Sequence, residues 1–287
     1  MTIRRTLALF VVAIALPLQA AATDLVLPMF ALNAELTDGR RQSTELYLVN
    51  PGTKPVQVGI SAILPGRVRR PTPCGEFMSP TRVIPPQSAV VWTASGLATD
   101  LGCADEALGA LELRSDGPIR ISGRLVTHGD DETTPNLGVT PQGVLSGAGQ
   151  VVEAVAVNHL PGPTTLLVPA LLWHRNPCGS PDFTTNVAFA NPGSEPVTAT
   201  LYVPSEAARA IRVNGRIEAL PHHVVIEAGR WKRLDIAPLP RHGNLCLEPE
   251  SFDLEVVIDG PLAVIGTVFD RAGGDGRTVR AVDLERD

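Results

Sequence analysis

Leu46-Tyr47-Leu48-Val49-Asn50-Pro51-Gly52 and Val187-Ala188-Phe189-Ala190-Asn191-Pro192-Gly193 carry one motif, a strand-like run that ends in Asn-Pro-Gly, 141 residues apart. Pro presets φ and Gly tolerates left-handed backbone, so both runs must turn there. Leu25–Leu32 matches Leu166–Trp173 at the same offset, and Leu111–Pro118 matches Leu254–Pro261 at an offset of 143. An offset so nearly constant predicts one folding unit present twice.

Each copy reads as seven strands between turn signals. In the first, A is Leu25–Leu32, B Thr44–Asn50, C Val56–Leu64, D Arg82–Ile84, E Ser88–Ala94, F Ala110–Ser115 and G Ile119–Thr127. In the second, A is Leu166–Trp173, B Thr185–Ala190, C Val197–Val203, D Val224–Ile226, E Trp231–Ile236, F Phe252–Ile258 and G Leu262–Asp270. Short strands at regular spacing predict an all-β chain of two tandem immunoglobulin-like antiparallel β-sandwiches, with a jelly roll or barrel as the rival. The expected division is residues 1–22 as a signal peptide, 23–128 as the first sandwich, 129–164 as a connecting segment and 165–287 as the second sandwich. Val151–Val157 in the connecting segment is an apolar run expected to pair as an extra strand, with bridging of the two domains as one place for it, since a structureless linker of that length is uncommon.

Composition agrees. The chain has 26 Gly and 26 Pro among 287 residues, which suits short strands and turns better than long helices. Aromatic residues make up only 4%, so the cores must be aliphatic, and a sugar-binding surface of stacked rings is disfavoured. Arg4-Arg5, the apolar Leu7–Leu16 and Ala20-Ala21-Ala22 have the anatomy of a cleaved export signal, with an uncleaved anchor as the alternative. No later apolar run is long enough to span a bilayer. A net charge of −6 argues against nucleic acid or an anionic membrane as partner. The expected location is periplasmic or extracellular.

Four cysteines in an exported chain imply two disulfides, with three possible connectivities. If successive strands alternate in direction, the A–B, C–D and E–F loops share one pole. Cys178 falls in an A–B loop, Cys74 in a C–D loop, and Cys103 and Cys246 in equivalent E–F loops. Cys74–Cys103 with Cys178–Cys246 is therefore the favoured pairing. The opposite pole carries tight turns, whereas the cysteine pole carries the long loops Pro65–Thr81, Ser95–Leu108, His174–Phe183 and Ala237–Ser251. Recognition concentrates on such loops, so a protein or envelope component is the expected partner there, beside the plainer reading that the bridges only pin the loops.

His128, His159, His174, His222, His223 and His242 are scattered, and adjacent strand residues such as His222-His223 point to opposite faces. Asp130-Asp131-Glu132 and Asp270 with Gly273-Gly274-Asp275-Gly276 lack the carboxylate spacing of a calcium loop. Arg67, Arg69 and Arg70 form a small basic cluster that reads as a solvated loop before an acidic-partner contact. No nucleophile elbow, phosphate loop, dinucleotide fingerprint or HExxH is present, and no metal or cofactor is implied.

Phe183–Gly193 and Leu46–Gly52 resemble the B–C hairpin of immunoglobulin-like domains found in tandem in exported bacterial proteins. That resemblance implies a surface, adhesive or spacing role and carries no functional residues. Two-domain periplasmic pilus chaperones are a second resemblance, implying donation of an edge strand to a secreted subunit. The closeness of the two halves and the lack of paired cleft-lining basic residues weigh against it. The expected function is an exported, non-catalytic binding or structural protein, with the assembly chaperone and an enzyme as alternatives.

Overall fold

The computed structural model describes residues 23–35, 41–66, 74, 80–103, 106–128, 149–173, 183–204, 209–239, 250–270 and 276–284. Residues 1–22, expected to be an export signal, and Cys178, Cys246, Arg67, Arg69, Arg70, His174, His242, Asp130–Glu132 and Gly273–Asp275 lie outside those residues. Among the described residues no helix is long and apolar enough to cross a membrane.

The first half consists of β1 (Thr23–Leu32), β2 (Ala34–Glu35), β3 (Arg41–Asn50), β4 (Val56–Ile63), β5 (Thr81–Ile84), β6 (Ser88–Trp92), α1 (Ala94–Asp100), β7 (Ala107–Ser115), β8 (Arg120–His128), β9 (Gly149–Glu153) and β10 (Val155–Ala156). A 3₁₀ turn at Val157–His159 leads into the second half. There follow β11 (Thr164–Trp173), β12 (Phe183–Ala190), β13 (Val197–Tyr202), β14 (Ala210–Val213), β15 (Arg216–Ala219), β16 (His222–Ile226), β17 (Trp231–Pro238), β18 (Glu250–Ile258), β19 (Ala263–Asp270), β20 (Gly276–Arg280) and β21 (Val282–Asp283).

The strands form four antiparallel sheets, two per half. One sheet of the first half has the order β10-β1-β7-β4-β5, and the other joins β3, β8 and β9, with β6 and the short β2 both pairing on the free edge of β3. The second half repeats both orders as β21-β11-β18-β13-β16 and β17-β12-β19-β20, with the β14–β15 hairpin added beyond β17. In strand letters each half pairs D-C-F-A on one sheet and E-B-G on the other. The closing pair after G is repeated too: β9 or β20 extends G, and β10 or β21 crosses to A. The extra strand expected at Val151–Val157 is thus β9 and β10, completing the first sandwich.

This order differs from the immunoglobulin scheme, which places A, B, E and D on one sheet and C, F and G on the other. Here A pairs with F and G with B. When strands alternate in direction, A and G both run antiparallel to B and to F. Either exchange satisfies the same ladder hydrogen bonds.

The two halves match below the level of strands. A bulge interrupts β1 between Leu27 and Phe30 and β11 between Val168 and Leu171. Asn50, fully buried, donates through Nδ2 to the carbonyls of Lys54 (2.8 Å) and Ile84 (3.1 Å), and its Oδ1 accepts from Gly52 N. Asn191 repeats this with Glu195 (2.8 Å), Ile226 (3.1 Å) and Gly193 N. Asp116 and Asp259 each accept from the backbone of strand C, at Gln57 N and Thr198 N, both at 2.7 Å. The Asn-Pro-Gly motif is therefore a buried clasp that ties the B–C turn to the end of strand D, which is more than a turn signal.

Candidate functional site

The cysteine pole of the first sandwich is built around α1, where only a loop is expected from the sequence. Thr93 caps it by accepting from Gly96 N through Oγ1, and Leu97 and Leu101 bury its inner side. Gly102, at φ +62°, ends it; Cys103 N donates to Ala98 O (2.8 Å) and Gly102 N to Thr99 O (3.1 Å). This is a Schellman ending, which needs a left-handed residue where Gly102 stands. It delivers Cys103 to Cys74, and the two form a disulfide. Of the two expected bridges, this one is present; Cys178 and Cys246 are among the residues not described.

A second fastening holds α1 to the sheets. Asp100 Oδ2 accepts from Trp92 Nε1 (2.8 Å) and from Arg82 Nη2 (3.0 Å). The Arg82 guanidinium lies 4.3 Å from the Trp92 ring centroid, a cation–π contact. Trp92 is fully buried, while Arg82 and Asp100 are about one-third exposed. One carboxylate thereby joins strand D, strand E and the helix at the rim of the long loops.

The second sandwich buttresses the same pole. Its E-B-G sheet packs its outer face on the outer D-C-F-A face of the first. Ala188, Ala190, Trp231, Ala263 and Ile265 belong to one buried cluster with the core of the first half. Trp231 N donates to Leu64 O (3.2 Å), and its indole Nε1 donates to Pro28 O (3.0 Å) inside the β1 bulge. Pro65, where the C–D loop leaves the sheet, forms a β-bridge with Trp231. At the far side, Thr278 Oγ1 donates to Val151 O, so β20 also contacts β9.

Two polar sites lie on outer sheet faces. Glu45, Tyr47 and Arg124 cluster on the first sandwich, where Tyr47 OH donates to Glu45 Oε2 at 3.2 Å. Burial pushes the Tyr47 phenol above its ordinary value, with Glu45 adding to the rise and Arg124 opposing it. At the joint between the sandwiches, burial lowers Arg233, and Asp235 partly offsets the effect.

Open depressions among the described residues include two of note. One, of about 420 Å³, lies between the halves and includes His159, Leu160, Ala263, Arg280 and Asp283 in its walls. The other, about 490 Å³, lies beside the β14–β15 hairpin and includes Arg216, Glu218, His222, His223 and Lys232. His222 pairs across the ladder with buried Leu201, and His223 with Thr200, whose Oγ1 lies 3.0 Å from His223 Nδ1. The two rings thus leave opposite faces of β16, as strand geometry requires. His222 Nδ1 and Glu218 Oε2 are 4.0 Å apart. Among the described residues, no three His, Cys, Asp or Glu side chains are grouped to hold a metal. His128 ends β8 and Asp270 ends β19.

No family model, no curated protein and no solved structure matches the chain.

Proposed function

We propose that the chain is an exported, non-catalytic binding or structural protein whose immunoglobulin-like halves derive from one duplicated unit. Duplication is supported by the shared sheet orders, the equivalent bulges and the paired Asn50 and Asn191 clasps. The immunoglobulin-like reading draws on the B–E and C–F pairings and departs from that family at A and G. A disulfide is compatible with an oxidising compartment, in line with the Arg4–Ala22 export signal. A second bridge, Cys178–Cys246, belongs to the same proposal.

The observation that carries the binding reading is the construction of the first cysteine pole. Its loops leave a rim fixed by Cys74–Cys103, by the Arg82–Trp92–Asp100 cluster and by Trp231 from the other half. Rigid support beneath long loops lowers the ordering cost of recognition, which suits contact with a protein or another envelope component. Strand donation needs an open G edge, and here both G strands are flanked: β8 by β3 and β9, β19 by β12 and β20. That weighs against the assembly-chaperone alternative.

Crosslinking in intact producing cells, followed by mass spectrometry of the joined peptides, tests this. Crosslinks from the C–D and E–F loops of the first half to one envelope component support the proposal. Crosslinks from strand edges to a secreted subunit, or turnover of a small molecule by the purified protein, overturn it.

A further inference from the structure

We infer that the outer E-B-G sheet of the first sandwich is a docking face for a second copy of this chain, which it meets through the outer D-C-F-A sheet of that copy's second sandwich. Inside one chain the two halves associate through unlike faces, E-B-G of the second on D-C-F-A of the first. Such a heterologous joint leaves one face of each kind unused at the two ends of the stack.

Pairing registers make Tyr47, Val49, Ala89, Arg120 and Ser122 equivalent to Ala188, Ala190, Trp231, Ala263 and Ile265, the residues buried at the internal joint. Val49 is 39% exposed and Val91, directly across from Tyr47, is 43% exposed. With Ala89 they form an apolar strip on an outermost sheet, edged by exposed Arg120.

The unused D-C-F-A face is equally open and differs in charge. Met29, fully buried at the internal joint, corresponds to exposed Ala170 in the β11 bulge. Ala110 and Ser61 correspond to Asp253 and to Tyr202, which is 36% exposed, and Glu255 lies across from Tyr202. The face thus offers Tyr202 and Pro169 as apolar contacts; Asp253 and Glu255 are opposite in sign to Arg120 of the other end, while Arg277, donating to Ala170 O, leaves a smaller net negative charge at the bulge. Ala89 stands where the internal joint has Trp231, so the contact between copies lacks that indole anchor and is weaker than the joint within the chain.

Sedimentation velocity of the purified protein, from low micromolar to near-millimolar concentration, is the test. The expected result is reversible growth beyond the dimer. Val91→Glu, which sets a negative charge against Asp253 and Glu255, weakens it about a hundredfold, and so does Tyr202→Glu at the other end, which replaces the apolar contact to the Val49–Val91 strip with a carboxylate that must be desolvated there. Both positions are exposed, and matching far-ultraviolet spectra and unfolding midpoints establish that each variant is folded; Arg120→Glu is a further surface variant for the first face. Mixing Val91→Glu with Tyr202→Glu protein restores one joint per pair and yields a dimer that grows no further. A monomer at every concentration overturns the inference. So does association that either variant leaves untouched, or a closed dimer lost in only one of them.

Discussion

The indole N–H of Trp231 donates to the carbonyl of Pro28, 3.0 Å away and 203 residues earlier in the chain. Pro28 lies in the bulge that interrupts β1, and the same residue type occupies the β11 bulge at Pro169. The bulge turns a carbonyl away from its own ladder, and the second sandwich supplies the donor. The residue equivalent to Trp231 in the first sandwich is the exposed Ala89. The two halves thus differ at this position, and the difference makes the joint.

Replacing Trp231 by Ala removes a large, 4% exposed side chain and its hydrogen bond, and should cost about 3–5 kcal/mol. Trp231→Phe keeps most of the apolar contact but leaves the Pro28 carbonyl buried without that donor, at about 1–3 kcal/mol. Urea unfolding measures both. Equal stability of Trp231→Ala and wild type would mean that the halves do not stabilise each other through this contact.

Asn50 and Asn191 make a paired prediction. Each Nδ2 serves two equivalent carbonyls at the same distances in its own half, and Asn50 Nδ2 also lies 3.0 Å from Pro85 O. Alanine at either position leaves buried carbonyls unpartnered, so each substitution should cost at least about 1–3 kcal/mol. Leucine should be no better, because it supplies bulk without a donor. A large loss for Asn50→Ala beside none for Asn191→Ala would show that the clasps are alike in geometry and unlike in energy.

Strand positions were legible in the sequence because alternation and turn residues are local signals. All seven strands expected in each half are present among the described residues. Which neighbour A and G would choose was not legible, since antiparallel direction permits B or F for both. The hairpin β14–β15 carries a local signal of its own. Asn214-Gly215 sits between apolar-alternating runs, and both residues have positive φ (49° and 81°), as a type I′ turn requires. Helix α1 hid behind Ser95 and Gly96, poor helix formers, although Thr93 and Gly102 mark its two ends. The Trp231 joint and the Asp100 cluster depend on contacts distant in sequence, which no local pattern encodes.

The disulfide prediction rests on loop length. Cys74 and Cys103 are separated by 29 residues, for which the chain-entropy relation gives about 3–4 kcal/mol. Cys74→Ser, Cys103→Ser and the double variant should all lose this amount, with no further loss in the double, because the two residues act as one unit. Thermal unfolding in oxidising buffer checks it. Additive losses, or no loss, would show that the bridge does not hold the pole.

Alkaline stability probes the outer face of the first sandwich through Tyr47. Burial raises its folded-state value above the ordinary 10.0, so the neutral phenol is favoured in the folded protein. A raised value gives a stabilising contribution that is complete below the unfolded value, near pH 10, and is lost as pH climbs through the folded one. Wild type should therefore lose stability relative to Tyr47→Phe between about pH 9 and pH 11. The remaining tyrosine and the lysines titrate in both proteins and largely cancel in the difference. Urea unfolding at stepped pH gives that difference directly, and a flat difference across the window would mean that the Tyr47 phenol ionises as freely in the folded chain as in the unfolded one.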